Sequence, residues 1–67
     1  MFCGERLKNM RKLKNLSQKK LGVLTGIPQT TISDIERNKI SPNVVRLFKI
    51  AKVLEVPISE IIEERKV

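Results

Sequence analysis

Residues 18–37, reading Q-K-K-L-G-V-L-T-G-I-P-Q-T-T-I-S-D-I-E-R, constrain this chain more than any other segment. Two helices crossing at roughly 90–120° through a 3–4-residue turn need a small residue where they approach, and Gly22 is placed to be it. The turn needs a residue that accepts positive φ, which Gly26 does without a Cβ clash. The second of the two helices needs apolar anchors on one side only. Ile32 and Ile35 provide them at i, i+3 spacing.

The rest of the chain reads as more helix around that pair. Cys3, Leu7, Met10 and Leu13 follow helical spacing, so a first helix is expected over residues 4–14, with Asn15 ending it in the left-handed conformation. Ser17 is an N-cap for the second helix, residues 18–25, whose inward face is expected to carry Leu21 and Leu24. Ile27 then enters the core, and Pro28 suits the first turn of a third helix running to about residue 37. Residues 37–42 form a polar connection anchored by Ile40. Asn43 caps a fourth helix with Val44, Leu47, Phe48, Ala51 and Leu54 as its buried stripe. Residues 58–64 are expected to make a last short helix. No stretch alternates as a convincing strand. The expectation is an all-α, compact five-helix domain, with residues 1–67 as a single unit.

Charge narrows the function. The net charge is +7, and residues 1–20 hold seven basic residues against one acidic. A basic face beside a nearly neutral remainder suits a polyanion, although it also fits a solvated helix surface. Phe2 and Phe48 are the only aromatics, too few for the stacking platforms of single-strand binders, and Phe48 is expected in the core. Double-stranded DNA is the better partner. With no histidine and one cysteine, Cys3, there is no zinc site and nothing for acid–base or nucleophilic chemistry. No metal, cofactor, small-molecule ligand or enzyme activity is expected. No apolar run approaches a membrane span and no secretory h-region opens the chain, so a cytoplasmic protein is expected.

On a helical wheel, Ile32 and Ile35 define the inner side of the third helix. Thr30, Ser33, Asp34 and Arg37 lie opposite, Gln29 projects from the N-terminal end, and Thr31 and Glu36 sit on the flanks. Short polar side chains let a helix approach the floor of the major groove. A glutamine can pair with adenine N6 and N7, and a threonine methyl can touch the thymine methyl. Gln29, Thr30, Ser33 and Asp34 are therefore the candidate base readers, with Thr31 and Arg37 candidate phosphate contacts. Asp34 could accept from cytosine N4 or repel phosphate at wrong sites, and both readings stand. The second helix opens with Gln18, Lys19 and Lys20. Cations there oppose the helix dipole, but with the free N–H groups they suit a docked phosphate.

Over residues 5–62 the chain resembles the Cro-type, lambda-repressor-like helix-turn-helix family of prokaryotic and phage regulators. The motifs are L-S-Q at 16–18, L-T-G-I-P-Q-T-T-I-S at 24–33, I-E-R-N-K at 35–39, S-P-N at 41–43 and L-F-K-I-A-K-V-L at 47–54. The resemblance implies a sequence-specific transcriptional regulator, commonly a repressor, acting as a homodimer on two half-sites. It implies that Gln18 bonds a phosphate and steadies Gln29, and that Gln29 and Thr30 lead the base readout. It further implies that Asn38 and Lys39 contact the backbone, and that Arg11 and Glu36 form a buried structural ion pair. Gly22 stands where alanine is commoner, and Glu55 where glycine often ends a helix, which leaves the join after the fourth helix open. Ile58, Ile61 and Ile62 either complete the core or form a dimer surface. The competing reading is an antitoxin or protein-interaction adaptor on the same scaffold.

Overall fold

The computed structural model describes residues 3–62. Four α-helices follow in order: α1, Gly4–Leu13; α2, Gln18–Thr25; α3, Gln29–Glu36; and α4, Val44–Leu54. A single 3-10 turn, Ile58–Glu60, follows α4. The expected fifth helix is therefore one turn. The reason lies at Ile61: its amide bonds back to the Ile58 carbonyl at 2.9 Å, and its own carbonyl accepts from the Cys3 amide at 3.2 Å, a partner outside any helix. Residues 63 and 64, the end of that expected helix, lie outside the described residues.

The helices begin where local chemistry places them. Ser17 Oγ accepts from the Lys20 amide at 2.9 Å, and Asn43 Oδ1 accepts from the Arg46 amide at 2.8 Å. Pro28 sits one position earlier than expected, as the N-cap of α3 with extended backbone, and Gln29 is the first helical residue. All four helices end alike. Asn15, Gly26, Asn38 and Glu55 take φ of 57°, 73°, 60° and 57°. The amide after each reaches back to a carbonyl five residues earlier: Leu16 to Arg11, Ile27 to Gly22, Lys39 to Asp34, and Val56 to Ala51, at 2.9–3.1 Å. Glu55 thus adopts the left-handed conformation that the sequence pattern reserves for glycine, and the join after α4 keeps the usual geometry.

The core comprises Leu7, Leu21, Ile27, Ile32, Ile35, Ile50, Ala51, Leu54 and Ile61. Leu16, Ile27 and Val56, the residues after three of the left-handed caps, lie in or against it. Several expected core residues do not. Leu13, Leu24, Ile40, Val44 and Phe48 are exposed, while Ile50 is fully buried. The helix four stripe is rotated toward Ile50, which shares its face with Leu54 at i+4 and Leu47 at i−3. Ile40 does not anchor the connection. Instead, the Asn38 side chain holds it, its Oδ1 accepting from the Gly4 amide at 2.9 Å.

Candidate nucleic-acid interface

The turn between α2 and α3 is closed tightly. The Gly26 amide bonds to the Gly22 carbonyl, and so does the Ile27 amide. Buried Thr25 adds its hydroxyl, which donates to the Leu21 carbonyl at 2.8 Å and lies 3.3 Å from the Ile27 amide as acceptor. Gly22 backs onto the turn so closely that a Cβ there would lie 2.7 Å from the Ile27 carbonyl oxygen. The small residue at the crossing is thus a requirement of the backbone path. Thr25 was not singled out from the sequence. Its polar side chain inside the L-T-G-I run is the signal that marks it.

From this turn α3 projects with Ile32 and Ile35 fully buried and Gln29 and Thr30 exposed. Thr31, Ser33 and Asp34 are half-buried, with Arg37 exposed beyond them. Asp34 Oδ1 and Arg37 Nη2 are 3.1 Å apart, so the one acidic group on the outward face is partnered by the neighbouring cation. Lys19 and Lys20 are exposed at the start of α2. Lys39 occupies the position after the left-handed Asn38, where the other helix ends turn an apolar residue inward, and it is exposed. Lys19, Val23, Pro28 and Gln29 border an open groove of about 410 Å³ floored by Gly22, Gly26 and Ile27. Lys19 of α2 and the first residue of α3 therefore face a common space.

Behind α3, Glu36 is buried rather than flanking. Its Oε2 accepts from Arg11 Nε at 2.6 Å and its Oε1 from Arg11 Nη2 at 3.0 Å. Arg11 Nη1 donates to the Leu16 carbonyl at 2.7 Å. Gln18 Nε2 donates to Glu36 Oε1 at 3.1 Å. The first residue of α2 is thereby tied to the far end of α3, and the side-chain contact of Gln18 is with Glu36, not with Gln29. Asn38 likewise has its side-chain oxygen engaged on Gly4. Ile61 has no exposed surface, and half-buried Ile58 packs on the core, so this apolar cluster closes the bottom of the fold. Among the described residues, no group of histidine, cysteine, aspartate or glutamate could hold a metal ion. No described helix is long and apolar enough to cross a membrane.

A family model described as helix-turn-helix matches residues 7–61, a span that runs through all four helices and the closed turn. The chain belongs to the helix-turn-helix family. It is 38% identical over 61 residues to the HTH-type transcriptional regulator PuuR of Escherichia coli, covering 91% of this chain and 33% of PuuR. It is 33% identical over 65 residues to the HTH-type transcriptional regulator SinR of Bacillus subtilis, covering 96% of this chain and 59% of SinR. The helix-turn-helix chain here thus spans about a third of the length of PuuR. Its backbone is similar to the P22 c2 repressor solved in complex with a synthetic operator, with TM-score 0.87, 28% identity, and 94% and 96% of the two chains covered.

Proposed function

We propose that this chain binds double-stranded DNA sequence-specifically and regulates transcription, as a repressor acting on two half-sites as a homodimer. The observation that carries the reading is the outward face of α3, where Gln29 and Thr30 are exposed while Ile32 and Ile35 anchor the helix from behind. Lys19 and Lys20 at the start of α2 and Lys39 just past the end of α3 are exposed as well. Relatives named as transcriptional regulators, and a similar fold solved with operator DNA, support it.

The roles divide by geometry. Gln29 and Thr30, at the N-terminal end of α3, would enter the major groove first and read base edges. Half-buried Ser33 and Asp34 would follow along the same face. Lys19, Lys20 and Lys39, with Thr31 and Arg37, would hold phosphates and set the register without reading sequence. Gln18 and Asn38, each with one side-chain atom engaged inside the fold, retain amide hydrogens that a phosphate could accept. Pairing with Arg37 reduces the repulsion Asp34 would exert on the duplex.

Selection of bound duplexes from a random pool tests this. Recovery of a common motif supports the reading, and recovery of unrelated sequences at equal affinity overturns it.

A further inference from the structure

A single carboxylate stands on the outward face of α3. Between residues 6 and 54 the only acids are Asp34 and Glu36, and Glu36 is buried. Thr30, Asp34 and Arg37 follow one another along that face, at i+4 and then i+3. Asp34 Oδ1 and Arg37 Nη2 are 3.1 Å apart, with the carboxylate side chain 39% exposed and the arginine side chain 59%. The bond uses one carboxylate oxygen and one guanidinium N–H, which leaves Oδ2 and the remaining donors for other partners. We propose that Asp34 selects a cytosine within the bound site, with Arg37 as its positioning residue, holding the carboxylate on one side and a phosphate on the other. The proposal rests on the DNA-binding reading above and names the base that one position of α3 takes.

An ionised carboxylate only accepts hydrogen bonds, so it needs a donor on the groove floor. The major groove has two kinds, adenine N6 and cytosine N4. Adenine N6 lies between two acceptors, its own N7 and O4 of the paired thymine, and both repel a carboxylate. Cytosine N4 has an acceptor on one side only, O6 of the paired guanine. Cytosine is therefore the base that Asp34 fits best. The phosphate backbone remains an obstacle, because it repels the same carboxylate. Arg37 removes that obstacle: a planar guanidinium can bond a carboxylate and a phosphate together, so the charge reaching the duplex is no longer negative. The i, i+3 spacing stabilises the helix by itself, but any exposed face would serve for that. Here the pair instead continues from Thr30 on the face that buried Ile32 and Ile35 turn outward.

The experiment selects duplexes from a random pool with the wild-type chain and with Asp34→Asn, at one salt concentration. Both residues lie at the surface, and circular dichroism establishes that each variant is helical. The wild type is expected to prefer cytosine by about tenfold at one position. Asp34→Asn is expected to move that position to adenine, whose N6 and N7 a carboxamide bonds together, and to leave the other positions unchanged. Loss of a purely helix-stabilising pair would not change which base is chosen. Affinities are then measured for Arg37→Met alone and combined with Asp34→Asn. Arg37→Met is expected to weaken binding by a factor at least about threefold smaller in the Asp34→Asn background, where no carboxylate is left exposed to phosphate. A wild-type motif that Asp34→Asn reproduces at every position overturns the cytosine assignment while the DNA reading stands. Equal losses from Arg37→Met in both backgrounds overturn the role given to Arg37. Selection of no motif by the wild type overturns the DNA reading, and the proposal with it.

Discussion

The guanidinium of Arg11 and the carboxylate of Glu36 meet as a parallel fork inside the protein, at 2.6 and 3.0 Å across 25 residues of sequence. The pair joins α1 to α3, and the Gln18 amide makes α2 its third member. No buried side-chain nitrogen or oxygen among the described residues lacks a hydrogen-bond partner, so the network is complete. A satisfied buried pair fixes how the elements sit more than it adds net stability, but removal of one member leaves the other charged and desolvated.

Glu36→Ala is therefore expected to destabilise the protein by about 3–5 kcal/mol in chemical denaturation, because Arg11 is stranded. The double replacement Arg11→Met with Glu36→Leu should recover most of that loss. A loss well under about 1 kcal/mol for Glu36→Ala would show that the pair does not hold α1 on α3.

Gly4 illustrates a constraint that runs against local propensity. Alanine would favour the helix by about 1 kcal/mol. Yet a Cβ at Gly4 would lie 2.7 Å from the Glu36 carbonyl oxygen and 2.9 Å from Asn38 Oδ1. Overpacking against backbone costs about 1–3 kcal/mol, so Gly4→Ala is expected to lower stability on balance. A higher melting temperature for the variant would contradict the close approach of α1 to the end of α3.

At Glu55 the reverse holds. Its φ of 57° puts a Cβ-bearing residue in the left-handed region, at a cost of about 1–2 kcal/mol. Glycine gives back about 0.5–1 kcal/mol through its freedom in the unfolded chain. Glu55→Gly is thus expected to stabilise by about 0.5–1 kcal/mol, measured by thermal or denaturant unfolding. Destabilisation would place the end of α4 in a different conformation.

Much of this was legible in the sequence because it is local. The caps at Ser17 and Asn43, the left-handed Asn15 and Gly26, and the limits of α2 each depend on neighbours a few residues away. Burial was less legible on α4, where V-V-R-L-F-K-I-A-K-V-L is apolar at most positions and admits more than one inner stripe. Periodicity favoured Val44 and Phe48, and tertiary packing selected Ile50. The contact of Gly4 with Asn38 joins residues 34 apart and leaves no local trace. The last turn failed as a helix for the same reason: Ile61 bonds to Cys3 at the other end of the chain. On α3 the alternation of buried isoleucines with polar residues left one orientation, and the structure has it.

For the contacts flanking that face, Lys39→Ala is expected to weaken binding to all sequences about equally and to reduce the slope of log affinity against log salt by about one. Equal slopes for variant and wild type would remove Lys39 from the phosphate contacts.

The most direct test of the outward face of α3 is the selection of duplexes by the wild type and by Gln29→Ala in parallel. A shared motif is expected, with the variant relaxed at one or two positions by about 1–3 kcal/mol and unchanged elsewhere. Identical preferences at every position, or none in either protein, would contradict the assignment of that face to base readout.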